Sequence, residues 1–465
     1  MNVFHLQTKN ITSAALILGL ASAFSGALGL LRDRLLAGRF GAGNELDVYY
    51  ASFRIPDFIS MVLIMGSISA AVIPIFSEYL TRDKEEAWKF LSNLFNLVLF
   101  ILIAVSVVLI IFAPQIVNLI TPGFSEEKRS LVVLLTRIMF LSPIILGTSN
   151  IISSVLQVFS RFLITSLAPI MYNFGIIIGI LFFVPRWGLP GLAWGVVFGA
   201  FLHLLIQLPV LFKVGFKFKS VFDFGHLGFK KVVRLTVPRS IGLAASQFNF
   251  FIITAIASTL SVGSVAVFSL AESLARPFLI LVGISFSTAA FPQLTLSFSK
   301  EKKERFFDIF FGTFSKIIFL IVPLSLILFF FRGFIVEIIL NVGKFSQANA
   351  GLTAACLGMF ALGLSARALN LFVVKGFYAL QDTKTPAIIS VLSMIITVSL
   401  SFLFVWLLSS ATGFKEWLLK LFSLPNVAGI EIIGLPLALS LGAIFQFVWL
   451  YIIFQKKLRK FNLNE

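Results

Sequence analysis

Long apolar stretches, broken by short charged connections, run along the whole chain. A helix needs roughly 20 apolar residues to cross a bilayer. That rule predicts helices near 10–31, 48–80, 92–120, 130–158, 162–184 and 189–213, and again near 232–260, 264–298, 306–331, 350–380, 386–408 and 432–454. The expected fold class is all-α: a polytopic membrane protein of about twelve transmembrane helices in two sets of six. The expected domains are an N-terminal lobe over 1–213, a cytoplasmic linker over 214–231, and a C-terminal lobe over 232–465 ending in a short basic tail.

The two halves echo each other. Ser69-Ala70-Ala71-Val72-Ile73-Pro74, leading to Lys84-Glu85-Glu86, matches Ser287-Thr288-Ala289-Ala290-Phe291-Pro292, leading to Lys302-Lys303-Glu304. Gly188-Leu189-Pro190 is repeated more weakly by Gly434-Leu435-Pro436. Six helices per half keep the repeats in the same orientation, so their pseudo-two-fold axis runs along the membrane normal. Parallel repeats of this kind are typical of transporters, although an inert duplicated bundle has the same pattern.

Composition supports a membrane protein: 58% of the 465 residues are hydrophobic and only 12% are charged. The chain nevertheless places charge at bilayer depth. Arg32, Asp33 and Arg34 close the first apolar segment, and Arg54 and Asp57 lie near the start of the next. An arginine there costs about 2.5–3.5 kcal/mol on insertion scales, so it turns toward protein or a wet cavity. A polar central cavity inside the bundle is therefore expected.

The formal net charge of +17 sits in short loops, where it acts as an orientation signal rather than a nucleic-acid footprint. Lys213, Lys217, Lys219, Lys230, Lys231 and Arg234, with Lys300, Lys302, Lys303 and Arg305 and the tail Lys456–Lys460, fall on one side. Both termini are expected in the cytoplasm, with membrane lipids as partners and no nucleic acid. The single cysteine, Cys356, excludes an internal disulfide and a cysteine metal site.

Several motifs resemble the MurJ/MviN family of lipid II flippases. In the first half these are Leu28-Gly29-Leu30-Leu31-Arg32-Asp33, Phe40-Gly41-Ala42-Gly43, Asp47, Phe53-Arg54-Ile55-Pro56 and the Ser69–Pro74 run. They continue through Leu156-Gln157, Ala168-Pro169-Ile170-Met171-Tyr172-Asn173 and Gly191-Leu192-Ala193-Trp194-Gly195. The second half adds Val237-Pro238-Arg239, Gln247-Phe248-Asn249 and Gln381-Asp382-Thr383-Lys384-Thr385-Pro386. The resemblance implies two six-helix lobes around a cationic cavity in the bacterial inner membrane. It also implies export of a lipid-linked peptidoglycan precursor by alternating access. Ser25 is followed by Gly26, Ser60 stands where a second family arginine is expected, and the usual Ala-Asp-Arg reads Ala271-Glu272-Ser273. Arg276, one turn beyond Ser273, is the candidate replacement for that last cation.

The substrate-binding candidates are Arg32, Arg54, Arg239 and Arg276, because guanidinium forks hold phosphate oxygens bidentately. Against this, Arg32 can pair with Asp33, Arg54 with Asp57 or Asp47, and Arg276 with Glu272 four residues earlier. The gating or cavity candidates are Asp33, Glu45, Asp47, Glu272, Asn173, Gln247, Asn249 and Arg367. Glu45 and Asp47 are read either as a gate against Arg32 or Arg34, or as solvated loop charges. Asn150, Asn173, Gln247, Asn249 and Asn370 either touch sugar or join helices through hydrogen bonds worth about 0.6 kcal/mol. His203 is read as structural rather than as a proton relay.

No P-loop, zinc-type histidine pair or nucleophile elbow is present, so no enzyme, cofactor or metal is expected. The function expected is a flippase for an undecaprenyl-diphosphate-linked precursor. The alternatives are an exporter of another polyprenyl-linked oligosaccharide or amphipathic small molecule, or a scaffold for cell-wall enzymes. Cell-wall synthesis proteins are the remaining expected partners.

Overall fold

The computed structural model of the chain describes residues 11–65, 68–299, 302–410, 413–422 and 428–463, and these contain no strand. The first half runs α1 (Ile11–Phe40), α2 (Asn44–Ile59), a π-helical turn (Ser60–Met65), α3 (Ile68–Arg82), α4 (Lys84–Ile111), α5 (Ala113–Ile120), α6 (Glu126–Met139) and α7 (Leu141–Val158). It continues through α8 (Phe162–Ile178), a second π turn (Gly179–Phe183), α9 (Val184–Trp187), α10 (Pro190–Leu205) and α11 (Leu208–Lys213). The second half comprises α12 (Leu227–Ser258), α13 (Ser264–Phe278), a third π turn (Leu279–Ile284), α14 (Ser285–Ser299), α15 (Lys303–Phe330) and α16 (Arg332–Leu340). The last elements are α17 (Gln347–Ala379), α18 (Lys384–Ser409), α19 (Gly413–Phe422), a 3₁₀ turn (Ile430–Ile433) and α20 (Gly434–Leu463).

Among the described residues, nine helical stretches are long and apolar enough to cross a membrane. The other three expected spans fall on α1, α2–α3 and α12, each of which carries charged residues along its length. Boundaries shift where local chemistry overrides hydropathy. The expected 92–120 helix starts at Lys84, because the Asp83 side chain accepts the Glu85 amide and caps it. It is then broken at Phe112, where Pro114 opens α5. Helix α12 begins at Leu227, inside the expected linker.

Packing divides the chain into two compact units, Met1–Leu36 with Val48–Gln247, and Ala37–Asp47 with Phe248–Glu465. These divisions lie within helices; of the lobe limits drawn from hydropathy, 213 is the last residue of α11 and 232 falls inside α12.

In the first unit α8 and α10 meet through glycines. A Cβ on Gly175 would lie 2.3 Å from the Gly199 Cα, and one on Gly179 would lie 2.4 Å from the Gly195 Cα. Helices in lipid gain no hydrophobic drive from each other, so this close backbone approach supplies the association through dispersion. Beside it α7 and α10 share a buried polar cluster. Ser149 Oγ lies 2.7 Å from His203 Nδ1, Gln207 Nε2 donates to Ser149 Oγ at 2.7 Å, and Ser153 donates to Gln207 Oε1 at 2.7 Å. His203 is therefore part of a helix-joining network.

In the second unit α17 is the hub, packed by α13, α15, α16 and α20. Small residues along Ala354–Gly363 let those helices approach. Serine hydroxyls staple α20 to its neighbours: Ser393 of α18 donates to the Gly442 carbonyl at 2.9 Å, and Ser440 of α20 donates to the Met359 carbonyl of α17 at 2.6 Å.

The internal repeat extends to the backbone. The register that sets Ser287 over Ser69 and Pro292 over Pro74 also brings the Leu279–Ile284 π turn over Ser60–Met65, to within a residue. Wide turns of this kind frequently mark functional stretches.

Candidate functional site

Arg32 lies eight residues before the end of α1, where the helix is still continuous and presents the guanidinium sideways. It is held from two sides. Nε and Nη2 donate to Asp33 Oδ1 at 3.0 and 2.8 Å, and Nη1 donates to Asn173 Oδ1 at 3.1 Å. Asn173 is itself fixed, because its Nδ2 donates to the Ser25 hydroxyl at 3.2 Å and to the Ser25 carbonyl at 3.3 Å. One amide on α8 thus reads two turns of α1, and only a residue carrying both a donor and an acceptor can do this.

Asp33 is 1% exposed while the Arg32 side chain keeps 23%. A guanidinium has five N–H donors, and three are used here, which leaves one on each terminal nitrogen. The Asp33 pairing foreseen as a rival to phosphate binding therefore exists, yet it fixes the fork without consuming it.

Tyr49, Tyr50 and Tyr172 lie within electrostatic reach of Arg32, and Tyr172 shares a hydrogen bond with Ser142. The Tyr50 hydroxyl is buried without a partner. Arg54 is half-buried and near enough to act on Tyr50, and Asp57 is exposed. The tyrosines were missed in the sequence. Tyr49-Tyr50, the latter four residues before Arg54 on the same helix, was the available signal.

The second unit assembles differently. Glu272 of α13 pairs with Arg367 of α17 at 3.9 Å, an ion pair between helices where the sequence offers Arg276 on the same helix as an alternative partner. Arg367 also lies 5.8 Å from the Phe360 ring centroid, and Arg276 is exposed. Arg367, one of the gating or cavity candidates, is thereby held against α13 by that carboxylate.

Asp47 is not a solvated loop charge. It is 1% exposed, and its Oδ2 and Oδ1 accept the backbone N–H groups of Gly263 and Ala266 at 2.8 and 2.9 Å. It therefore caps the start of α13 from a distant part of the chain, as an N-cap aspartate caps its own helix. Gly263 has φ +90°, and a Cβ there would lie 2.2 Å from the Ala42 carbonyl oxygen, so glycine is required. The Lys344 amide donates to the Gly38 carbonyl at 2.8 Å, which pins the same Ala37–Asp47 segment. Glu45 is exposed.

Gln247 is half-buried; Asn249 is half-buried with its Oδ1 enclosed and unpartnered. Asn370 of α17 donates to the Ala443 carbonyl of α20 at 2.9 Å and joins the two helices, whereas Asn150 donates to the Leu146 carbonyl one turn back on its own helix at 2.8 Å. The Arg239 side chain lies outside the described residues. Among the described residues no group of acidic, histidine or cysteine side chains is arranged to hold a metal.

A sequence profile described as "Lipid II flippase MurJ" matches residues 36–465. A lipid II flippase MurJ of Burkholderia cenocepacia is 30% identical over 86% of this chain and 80% of its own length. A probable lipid II flippase MurJ of Buchnera aphidicola (subsp. Schizaphis graminum) is 29% identical over 83% of this chain and 76% of its own length. Among solved structures, a lipid II flippase MurJ in an inward closed conformation superposes with a TM-score of 0.77 at 24% identity, covering 97% of this chain and 90% of that one. An inward-facing multidrug transporter of the MATE family gives 0.74 at 13% identity, with 95% and 96% covered. At these identities the two structures speak to the fold alone.

Proposed function

The chain belongs to the lipid II flippase MurJ family, and from that premise we propose that it moves an undecaprenyl-diphosphate-linked peptidoglycan precursor from the cytoplasmic to the outer leaflet by alternating access. It is a transporter of the bacterial inner membrane, not an enzyme.

The observation that carries the reading is the fixed Arg32 fork, with one N–H on each terminal nitrogen not taken by Asp33 or Asn173. A diphosphate needs adjacent donors that stay charged at bilayer depth, and guanidinium groups supply both. Asp33 compensates the charge of Arg32 while the site is empty, which makes a buried cation tolerable. Arg54, Arg239 and Arg276 are the further cations we propose for the headgroup. On this reading the isoprenoid tail stays in lipid throughout.

The two six-helix lobes over 1–213 and 232–465 are the moving parts we propose, joined by 214–231. Loop charge supports cytoplasmic termini, so a cysteine at position 302 in a Cys356→Ser background should resist an impermeant thiol reagent in intact cells. Labelling there from outside would reverse the orientation.

The functional test is rescue of growth and precursor export in cells depleted of their own flippase. The parent chain should rescue, and Arg32→Glu and Arg54→Glu at matched protein levels should not. Export at parental level by both variants would end the diphosphate mechanism.

A further inference from the structure

A second cationic site lies apart from the Arg32 cluster, where α3 ends and α12 begins. A cleft of about 280 Å³ is lined by Arg82 of α3 and by Lys230, Lys231 and Arg234 of α12, with Glu78 as the one carboxylate on its wall. Glu78 is shared between Arg82 at 3.0 Å and Lys231 at 3.2 Å. Lys230 and Arg234, one turn apart on α12, are exposed and outside these pairs. Four cations thus face one carboxylate.

The cleft is built rather than incidental. The connection leading to it is tied along α4: the Asn93 side chain both donates to the Asp223 carbonyl at 2.8 Å and accepts the Asp223 amide at 2.7 Å. Asn96 donates to the Val221 carbonyl at 2.8 Å. Tyr79 stacks on Phe90 with centroids 5.0 Å apart, and Gly228 is pressed against the Phe90 ring, leaving no room for a Cβ. The first turn of α12 adds its N-terminal dipole, which favours anions.

An apolar edge adjoins the charge. Phe100 on the outer face of α4, Phe222 and Phe224 are all exposed and in edge-to-face contact, at 5.5 and 5.4 Å along the row, and Leu227 is exposed beside them. In a membrane protein such a row lies at the headgroup–acyl boundary.

We propose that this cleft holds the phosphate of an anionic phospholipid of the bilayer, with the acyl chains along the Phe100–Phe222–Phe224 edge. Its size suits a small headgroup, below the roughly 300–1,000 Å³ of drug-sized sites. A nucleic acid or acidic protein would match the cations but not the row of exposed phenylalanines. The inference does not rest on the flippase reading, because export and phospholipid preference are separate measurements.

The test is native mass spectrometry of phospholipid bound to the purified chain, offered phosphatidylglycerol or phosphatidylcholine. The parent should prefer phosphatidylglycerol, with affinity falling as salt rises. One cation at an anionic surface is worth about five-fold, so Lys230→Gln with Arg234→Gln should lose roughly thirty-fold. Lys456→Gln, a cation outside the cleft, should leave the preference unchanged. Glu78→Gln should raise the affinity, which keeps the test decisive if the double variant folds poorly. Equal phosphatidylglycerol retention by parent and double variant, or displacement of the lipid by inorganic phosphate at equal phosphate concentration, would overturn the proposal.

Discussion

The two units bury an arginine to the same depth and constrain it differently. Arg32 and Arg367 keep 23% and 22% of their side-chain surface. Arg32 makes three hydrogen bonds of 2.8–3.1 Å to a buried carboxylate and a fixed amide, while Arg367 has one carboxylate at 3.9 Å. In the repeat register Glu272 falls on the position of Arg54, so the duplicated backbone with its π turns carries opposite charge at equivalent places. The first unit holds a preorganised fork; the second holds a looser cluster of two arginines and one glutamate. Preorganisation is what lets a binding group act without a further ordering cost.

The largest expected effect breaks that comparison directly. In the rescue assay Arg32→Glu should abolish precursor export, whereas Arg367→Glu should reduce it by less than about ten-fold, because the loose pair has less geometry to lose. Equal loss in both would erase the distinction between the units.

A structural effect comes next. Asp47→Ala leaves the buried Gly263 and Ala266 amides without their acceptor, at a cost of about 3 kcal/mol. Thermal unfolding in detergent should show a clear drop. Glu45→Ala, at an exposed position of the same turn, should change stability by less than about 0.5 kcal/mol.

Much of this was legible in the sequence. The expected spans are recovered as helices because hydropathy over a span is a strong, local signal. Arg32, Asp33 and Asn173 were each visible as polar residues where lipid tolerates few. Their mutual geometry was not, because Asn173 meets α1 only through the packing of α8. Asp47 misled for the same reason: a carboxylate in a glycine-rich turn reads as solvated until the helix it caps is brought to it. The docked connection had a signal that went unused, since Ser92, Asn93 and Asn96 form a polar strip on an otherwise apolar helix.

A smaller effect sharpens the account of the second unit at its edge. The Asp382 carboxylate accepts from Lys457 Nζ at 2.6 Å and from the Thr385 amide at 3.0 Å. Partial burial pushes its carboxyl up, but the bonds from Lys457 and Thr385 outweigh this and hold it below the ordinary carboxylate range. A depressed carboxyl stabilises the fold above the ordinary range and loses that contribution as pH falls through its folded value. Asp382→Asn should cost about 1 kcal/mol at neutral pH, measured by chemical denaturation, and the difference should vanish under strongly acid conditions.

The measurement closest to the central claim is direct binding of undecaprenyl diphosphate to the purified parent, Arg32→Lys and Arg32→Glu. The fork predicts a graded series: lysine keeps the charge and loses the bidentate geometry, weakening binding about ten-fold, while glutamate abolishes it. Equal affinity in all three proteins would contradict the claim that the Arg32 fork holds the diphosphate.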